Sequence, residues 1–330
     1  MNVLSLFDGM SCGRIALDRA GIKVDNYFAS EIDKYAISVS KHNYPDIKHI
    51  GDVTQVKASD LPRIDLIIGG SPCQGFSFAG KQLNFDDHRS VFFFEYVRIL
   101  KEIRKYNPNV LFLLENVKMK KEYQDVISEQ MGVEPVKINS ALVSAQNRER
   151  LYWSNIPVSP LNDKGILLKH IVEDGNVGRD KSVCLTAHDG KGTTLDTYFG
   201  IRKGVKRQIV FLDNHNSDKG LKCIGALKSK QWKDDGKNLQ RNFSQGERIY
   251  SIEGKSPTLT ANGGGTAGSS ALVFYKNNWR KLTPLECERL QTVPDNYTAT
   301  VSNSQRYKML GNGWTVDVIA EAFFKHLDLY

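Results

Sequence analysis

The chain has 330 residues, 40% of them apolar and 25% charged, which suffices for one well-buried core and a second, smaller unit. No apolar run approaches the ~20 residues of a membrane span, and Asp8 follows the short apolar start too closely for a signal peptide, so no membrane partner is expected. The net charge of +8 lies entirely in residues 151–280, where 20 Lys and Arg face 12 Asp and Glu, while the remainder holds 25 of each sign. Such a segment is either a plain basic domain or the electrostatic footprint for a polyanion such as nucleic acid.

Residues 1–115 read as alternating strands and helices. Residues 3–7 are an apolar strand ending in Asp8-Gly9, and 15–20 continue as a helix. Residues 26–30 are a second strand closed by Glu31, and 33–42 read as helical. Asp65-Leu-Ile-Ile-Gly-Gly70 is a third buried strand, 91–104 has helical periodicity, and 110–114 is another apolar strand. Strands separated by helices predict an α/β fold with a mostly parallel, doubly wound sheet. Ligands bind such sheets at the carboxyl ends of the strands, where Asp8, Glu31, Cys73 and Glu115 fall.

From about Pro157 to Asn278 the texture changes to Gly, Lys, Asn and Ser, with no long helical pattern. Short strands and loops are expected there, as a separate domain. Within it Lys181-Ser-Val-Cys-Leu-Thr-Ala187 echoes Lys255-Ser-Pro-Thr-Leu-Thr-Ala261. Two copies are too few for a solenoid and read as two similar strand-turn units. Residues 282–290 return to helix, with Thr283 and Pro284 as start signals, and 316–327 form a final amphipathic helix.

The five cysteines, Cys12, Cys73, Cys184, Cys223 and Cys287, are odd in number and widely spaced, which argues against a disulfide framework or a zinc site. The histidines, His88 among them, have no ligand spacing, so no metal is expected. Phe7-Asp-Gly-Met-Ser-Cys-Gly13 joins a strand to a helix, and Gly9 and Gly13 let the backbone approach a ligand. The run lacks a phosphate-cradling lysine. With Glu31 placed for ribose hydroxyls and Asp52 for an adenine amino group, it suits a nucleoside cofactor without phosphates; helix caps and turn acids are the plainer reading. Gly70-Ser-Pro-Cys-Gln-Gly-Phe-Ser77 follows a buried strand, and a cysteine in such a loop can be a nucleophile rather than a core residue. Glu115, closing an apolar strand in Leu113-Leu-Glu-Asn-Val117, would be partly desolvated and able to carry a proton. Arg148 and Arg150, at spacing two in Gln146-Asn-Arg-Glu-Arg150, would share one face of a strand and could hold a carbonyl oxygen.

In this order the elements resemble the motif set of the DNA (cytosine-5)-methyltransferases, over residues 1–155 and roughly 241–320. Ser140 to Trp153 and Gly311-Asn-Gly-Trp-Thr315 are also similar to the animal de novo branch. Gln245 through Gly265 is similar to the recognition loops of small bacterial restriction-modification enzymes of the HhaI type. The resemblance implies a Rossmann-like catalytic domain, residues 1–156 and 281–330, and a smaller, mainly-β target recognition domain, 157–280. It implies transfer of a methyl group from S-adenosylmethionine, leaving S-adenosylhomocysteine, to C5 of a cytosine flipped out of double-stranded DNA.

Residue by residue, the resemblance makes Cys73 the nucleophile at C6, Glu115 the partner of N3 and the exocyclic amine, Arg150 the partner of O2, and Arg148 a support for the catalytic loop. Phe7, Asp8, Gly9, Cys12, Gly13, Glu31, Ile32, Asp52, Val53, Pro72, Asn312 and Trp314 would hold the cofactor. Gln74, Ser77, Lys81, Arg89, Gln245, Arg248, Thr258, Asn262, Gly263 and Gly265 would contact DNA. Among these Gln245 fills the space the base leaves, and Arg248 donates to a guanine edge. Residues 81–89 would continue a mobile loop hinged at Gly75 and Gly80. A monomer in the cytoplasm of a bacterial or phage-infected cell, associated with the nucleoid, is expected, with a cognate restriction endonuclease as candidate partner. The cofactor loop departs from the commoner Gly-rich bacterial form, and Trp314 replaces a usual small residue. Ala79 and Asn262 differ at DNA-contact positions, so no target sequence carries across. Three rivals remain at this point: a tRNA cytosine methyltransferase with the same core, a catalytically dead DNA-binding scaffold, and a nicotinamide-dependent dehydrogenase suggested by the sheet alone.

Overall fold

Seven strands form one sheet in the order β3-β2-β1-β4-β5-β7-β6. They are β1 (Asn2–Leu6), β2 (Asn26–Ser30), β3 (Lys48–Gly51), β4 (Leu66–Gly69), β5 (Leu111–Val117), β6 (Val136–Asn139) and β7 (Glu149–Ser154). The computed structural model describes residues 1–72, 91–175, 177, 179–187, 189, 208–211, 223–226, 248–250, 272–273 and 279–327. β1 to β5 are parallel, and β7 runs antiparallel to both β5 and β6. Val3, Leu4 and Leu6 of β1 and Leu66, Ile67 and Ile68 of β4 are all fully buried. Continuous apolar runs of this kind are what a parallel sheet covered on both faces requires. The strand order runs outward in both directions from the β1–β4 pair, so the loops leaving these two strands diverge and open a crevice between them.

Helices α1 (Cys12–Arg19), α2 (Lys34–Asn43), α3 (Val91–Tyr106) and α4 (Lys121–Met131) lie among these strands in the chain. α3 buries Phe93, Tyr96, Val97, Leu100 and Ile103, one stripe at helical spacing, in a core shared with Ile67, Phe112 and Leu114. Later in the chain come α5 (Pro284–Leu290), α6 (Asn303–Asn312) and α7 (Val316–Ile319). α5 starts as its sequence predicts: the Thr283 hydroxyl accepts from Glu286 N, the Glu286 carboxylate accepts from Thr283 N, and Pro284 occupies the first turn.

The sequence reading passed over β3, β6, α4 and α6. β3 is an edge strand with no fully buried residue, and β6 buries only Ile138, so neither shows an apolar run. β5 runs to Val117, so Glu115 sits inside the strand and not at its end. The terminal segment is α-helical only over α7 and continues as a π-helix over Ala320–Phe324. Ala322, Phe323 and Phe324 are buried there, while Asp317 and Glu321 stay partly exposed and Lys325 exposed, so the segment keeps the expected polar side although its winding differs.

The chain divides into two compact units. The first comprises Met1–Ile171, Arg179–Lys191 and Thr283–Tyr330, and the second Val172–Gly178 and Gly192–Leu282. Residues 157–171 and 179–191 thus group with the sheet. In the second unit β8 (Ile209–Phe211) pairs antiparallel with β12 (Trp279–Lys281). β10 (Arg248–Tyr250) lies between antiparallel β9 (Cys223–Ala226) and parallel β11 (Leu272–Val273). Arg280 is tied to Asp174, its Nε donating to Oδ1 at 2.8 Å. No helix among the described residues is long and apolar enough to cross a membrane.

Candidate active site

A cavity of about 420 Å³ in the first unit is lined by residues at the carboxyl ends of β1, β2, β4 and β5. On its β1–β2 side the loop after β1 turns sharply: Phe7 (φ 58°), Gly9 (φ 60°) and Ser11 (φ 66°) all adopt left-handed backbone. Phe7 and Ser11 have side chains and are strained there, a signature that concentrates at ligand-holding loops. The Ser11 hydroxyl makes no helix cap. It donates to Asp8 Oδ2 at 2.5 Å and lies 2.6 Å from Ser40 Oγ, while Tyr27 OH donates to Asp8 Oδ1 at 2.8 Å. Burial pushes the Asp8 carboxyl up to about 6; the bonds from Ser11, Ser5 and Tyr27 oppose this, and the neighbouring Glu31 charge adds to it.

Glu31 is held by backbone amides. Its Oε1 accepts from Ile32 N (2.7 Å) and Asp33 N (2.8 Å), and its Oε2 from Gly9 N (2.8 Å). A carboxylate oxygen has two lone pairs, so Oε2 keeps one for a hydroxyl donor in the cavity. Asp52 caps the short turn Val53–Gln55, its Oδ1 accepting from Thr54 N at 2.9 Å. Ile32 lines the cavity yet is 72% exposed, an apolar surface that a ligand would cover.

The opposite side is built around Gly70 and Glu115. A Cβ on Gly70 would lie 3.0 Å from Glu115 Oε2 and 3.1 Å from Trp314 Nε1, so the chain after β4 threads between them because it is glycine. Glu115 is 8% exposed and is not an isolated desolvated acid: it forms an ion pair with Arg150, whose Nε lies 2.9 Å from its Oε1. The other guanidinium nitrogens of Arg150 donate to Glu149 O (Nη1, 2.8 Å) and Cys184 Sγ (Nη2, 3.7 Å). Burial disfavours the Arg150 charge, but Glu115 and Cys184 outweigh it and raise the guanidinium above its usual range.

Arg148 precedes β7 and turns elsewhere. Its Nη1 donates to Leu185 O (3.0 Å) and Cys184 Sγ (3.3 Å), and its Nη2 to Gly311 O (3.2 Å) and Gly313 O (2.9 Å). Burial first, and then the like charge of Arg150, lower its pKa. Arg148 thus binds three distant chain segments together.

The cavity lining contains every residue expected to hold the cofactor: Phe7, Asp8, Gly9, Cys12, Gly13, Glu31, Ile32, Asp52, Val53, Pro72, Asn312 and Trp314. Glu115, Arg148 and Arg150 line it too. Cys12 is a buried thiol pushed up to about 12, first by burial, so it lines the wall as an inert group. Cys73, Gln74, Ser77, Lys81, Arg89, Gln245, Thr258, Asn262, Gly263 and Gly265 lie outside the described residues. The backbone of Arg248 opens β10, opposite Ala226. No cluster of potential metal ligands occurs among the described residues.

Sequence reasoning missed Gly70, Ser71, Asn116 and the Asp33–Lys308 ion pair (2.6 Å) at the lining. The Gly69-Gly70 pair at a strand end was a usable signal. Asn116, whose Nδ2 donates to Ser71 Oγ at 3.3 Å, and Lys308, 275 residues from its partner, had none.

A doubly wound sheet of this order, with an acid-lined pocket at its reversal and a carboxylate–guanidinium pair beside it, defines an α/β protein with a pocket whose acids suit a nucleoside. The family model of the C-5 cytosine-specific DNA methylases matches residues 1–327, and the chain belongs to that family. It is 32% identical to the type II methyltransferase M1.ScrFI of Lactococcus lactis subsp. cremoris, over 99% of this chain and 78% of that protein. It is 29% identical to the type II methyltransferase M.HhaI of Haemophilus parahaemolyticus, over 97% of this chain and 92% of that one. Among solved structures the Entamoeba histolytica methyltransferase EhMeth superposes with a TM-score of 0.63 at 15% identity, covering 100% of this chain and 99% of that one. The family membership carries the expected enzyme class, a DNA (cytosine-5)-methyltransferase using S-adenosylmethionine, and the structural likeness carries the fold.

Proposed function

We propose that the chain methylates C5 of a flipped-out cytosine at a short specific site in double-stranded DNA, with Cys73 as nucleophile and S-adenosylmethionine as methyl donor. The observation that carries this reading is the Glu115–Arg150 pair at 2.9 Å, facing the same cavity as Glu31 and Asp52. Pro72 lines that cavity and Cys73 is the next residue in the chain. The pocket fits the cofactor: Glu31 retains an acceptor for a ribose hydroxyl, Asp52 and the uncovered side chain of Ile32 line the same cavity, and no lysine of a phosphate cradle is needed. When bound, S-adenosylmethionine supplies an electrophilic methyl on a sulfonium.

C5 of cytosine is a poor nucleophile until the ring is activated. Addition of the Cys73 thiolate at C6 pushes electron density to C5 and converts one hard step into easier ones. Arg150 would donate to O2, where charge develops, and Glu115 would hold or deliver a proton at N3. Glu115 and Arg150 brace each other, so each donor or acceptor is preset before the base arrives. Removal of the C5 proton and expulsion of the thiolate then restore the aromatic ring.

The basic second unit is proposed to read the target, consistent with its excess of Lys and Arg and its short strands. A monomer acting on DNA in the cytoplasm of a bacterial or phage-infected cell, with a cognate restriction endonuclease as candidate partner, completes the proposal; the relatives include type II methyltransferases and orphan phage methyltransferases. Cys73→Ser is expected to abolish methyl transfer and covalent trapping by 5-fluorocytosine DNA while duplex binding persists; sustained turnover of that variant would sink the assignment. Arg248→Ala is expected to relax discrimination at one base pair by about 1–3 kcal/mol, read by sequencing methylated sites, with general affinity reduced less.

A further inference from the structure

The motif Lys181–Ala187, one copy of the internal echo, has no role in the reading above. It is docked beside the catalytic arginines. Lys181 Nζ donates to three backbone carbonyls, of Ala141 (2.8 Å), Ser144 (3.1 Å) and Ile166 (2.6 Å). Ser182 bridges Gln146 in parallel, with Ser182 N to Ala145 O at 2.7 Å and Asn147 N to Ser182 O at 2.9 Å. Leu185 N donates to the buried Gln146 Oε1 at 2.8 Å. A Cβ on Gly311 would come within 2.1 Å of the Thr186 carbonyl carbon, so this backbone also lies flush against the start of the 311–314 segment.

The consequence of this docking is the place of Cys184. Its Sγ, half-buried, accepts from Arg148 Nη1 at 3.3 Å and from Arg150 Nη2 at 3.7 Å. Arg148 has three backbone carbonyls besides and does not depend on the sulfur. Arg150 does. Its Nε side faces Glu115 in an ion pair and its Nη1 donates to a neighbouring carbonyl on its own strand. Cys184 is the hydrogen-bond acceptor on Nη2. Each terminal nitrogen has two N–H groups, so this arrangement leaves a second donor on each for a carbonyl oxygen in the cavity. Without the sulfur the guanidinium keeps its Glu115 ion pair and its Glu149 carbonyl, but Nη2 loses its hydrogen-bond acceptor and the fork gains freedom to tilt. Misorientation of this kind lowers kcat without weakening cofactor binding.

We propose that Cys184 is a positioning residue for Arg150, through a thiol that fixes the Nη2 end of the guanidinium. The inference rests on the assignment of Arg150 to the base carbonyl. Cys184→Ser keeps an acceptor, Cys184→Val keeps bulk without one, and Cys184→Ala removes both. Two rates are measured in the full-length protein: methyl transfer, and cofactor-free exchange of tritium from 5-tritiated cytosine in duplex DNA. The exchange needs only addition at C6, protonation at C5 and reversal. Exchange by the parent protein and none by Cys73→Ser establishes the parent reading separately. The expected result is Cys184→Ser within threefold of the parent in both rates. Cys184→Val should lose at least tenfold in kcat and in exchange, with KM for DNA and cofactor affinity within threefold. Parent-like rates for the valine variant, or equal losses in serine and valine, overturn the proposal. If valine does not fold, the serine–alanine pair decides: alanine low with serine near the parent supports it, and no difference between them overturns it.

Discussion

On the β1–β2–β3 side of the cavity Glu31 and Asp52 are held largely by backbone amides close to them in sequence. Glu31 is fixed by the amides of Ile32 and Asp33, and Asp52 by that of Thr54. On the β5–β7 side the charged groups lean mainly on distant segments. Glu115 meets Arg150, Arg148 meets Leu185, Gly311 and Gly313, and Arg150 meets Cys184. Locally wired acids can shape a nucleoside pocket with little help from the rest of the chain. The catalytic corner exists only after four remote pieces have packed, so it is the side where a remote change reaches the chemistry.

The largest expected effect tests whether the two sides are separable. Glu115→Gln keeps the shape but removes the charge and the proton, and kcat should fall by about 10²–10⁴. Calorimetric affinity for S-adenosylmethionine should stay within a few-fold, because the acids on the other side are untouched. A parallel fall in affinity would show that the division is false.

Gly311→Val strikes the convergence of remote segments. Its Cβ would sit 2.1 Å from the Thr186 carbonyl carbon and 2.3 Å from Ala187 N, and backbone cannot step aside as a flexible side chain does. Stability should fall by roughly 3 kcal/mol, read as a lower denaturant midpoint, with kcat falling as the Arg148 clamp loosens. An unchanged midpoint would mean that residues 184–187 do not dock there.

A smaller effect sharpens the local side. Asp8 titrates at about 6 in the folded protein against 3.8 for a free side chain, because it is buried. Above pH 6 it is ionised in both states and the fold bears the full penalty of burying it. As pH falls through 6 the native carboxyl takes up its proton before the unfolded one does, so this group makes the fold more stable toward pH 4. The difference is worth roughly 3 kcal/mol. Asp8→Asn should flatten that part of the curve of melting temperature against pH between 4 and 6.5; a variant with the parent's slope would place the titration elsewhere.

Much of this was legible in the residues themselves. Leu66, Ile67 and Ile68 announce a buried parallel strand, and Phe7-Asp-Gly-Met-Ser-Cys-Gly13 announces the turn that follows β1, because apolar runs and glycine positions act within a few residues. Most of the expected cofactor residues come together for the same reason: they follow strand ends, and parallel strands deliver their ends to one edge, whereas Asn312 and Trp314 arrive from the end of α6. The edge strands β3 and β6 were hidden because half-exposed strands carry no apolar run. That Glu115 is braced by Arg150, that Arg148 faces the 311–313 carbonyls, and that residues 179–191 group with the sheet were decided by tertiary packing alone. Pairings across tens to hundreds of residues depend on how whole strands register, and no local propensity records that.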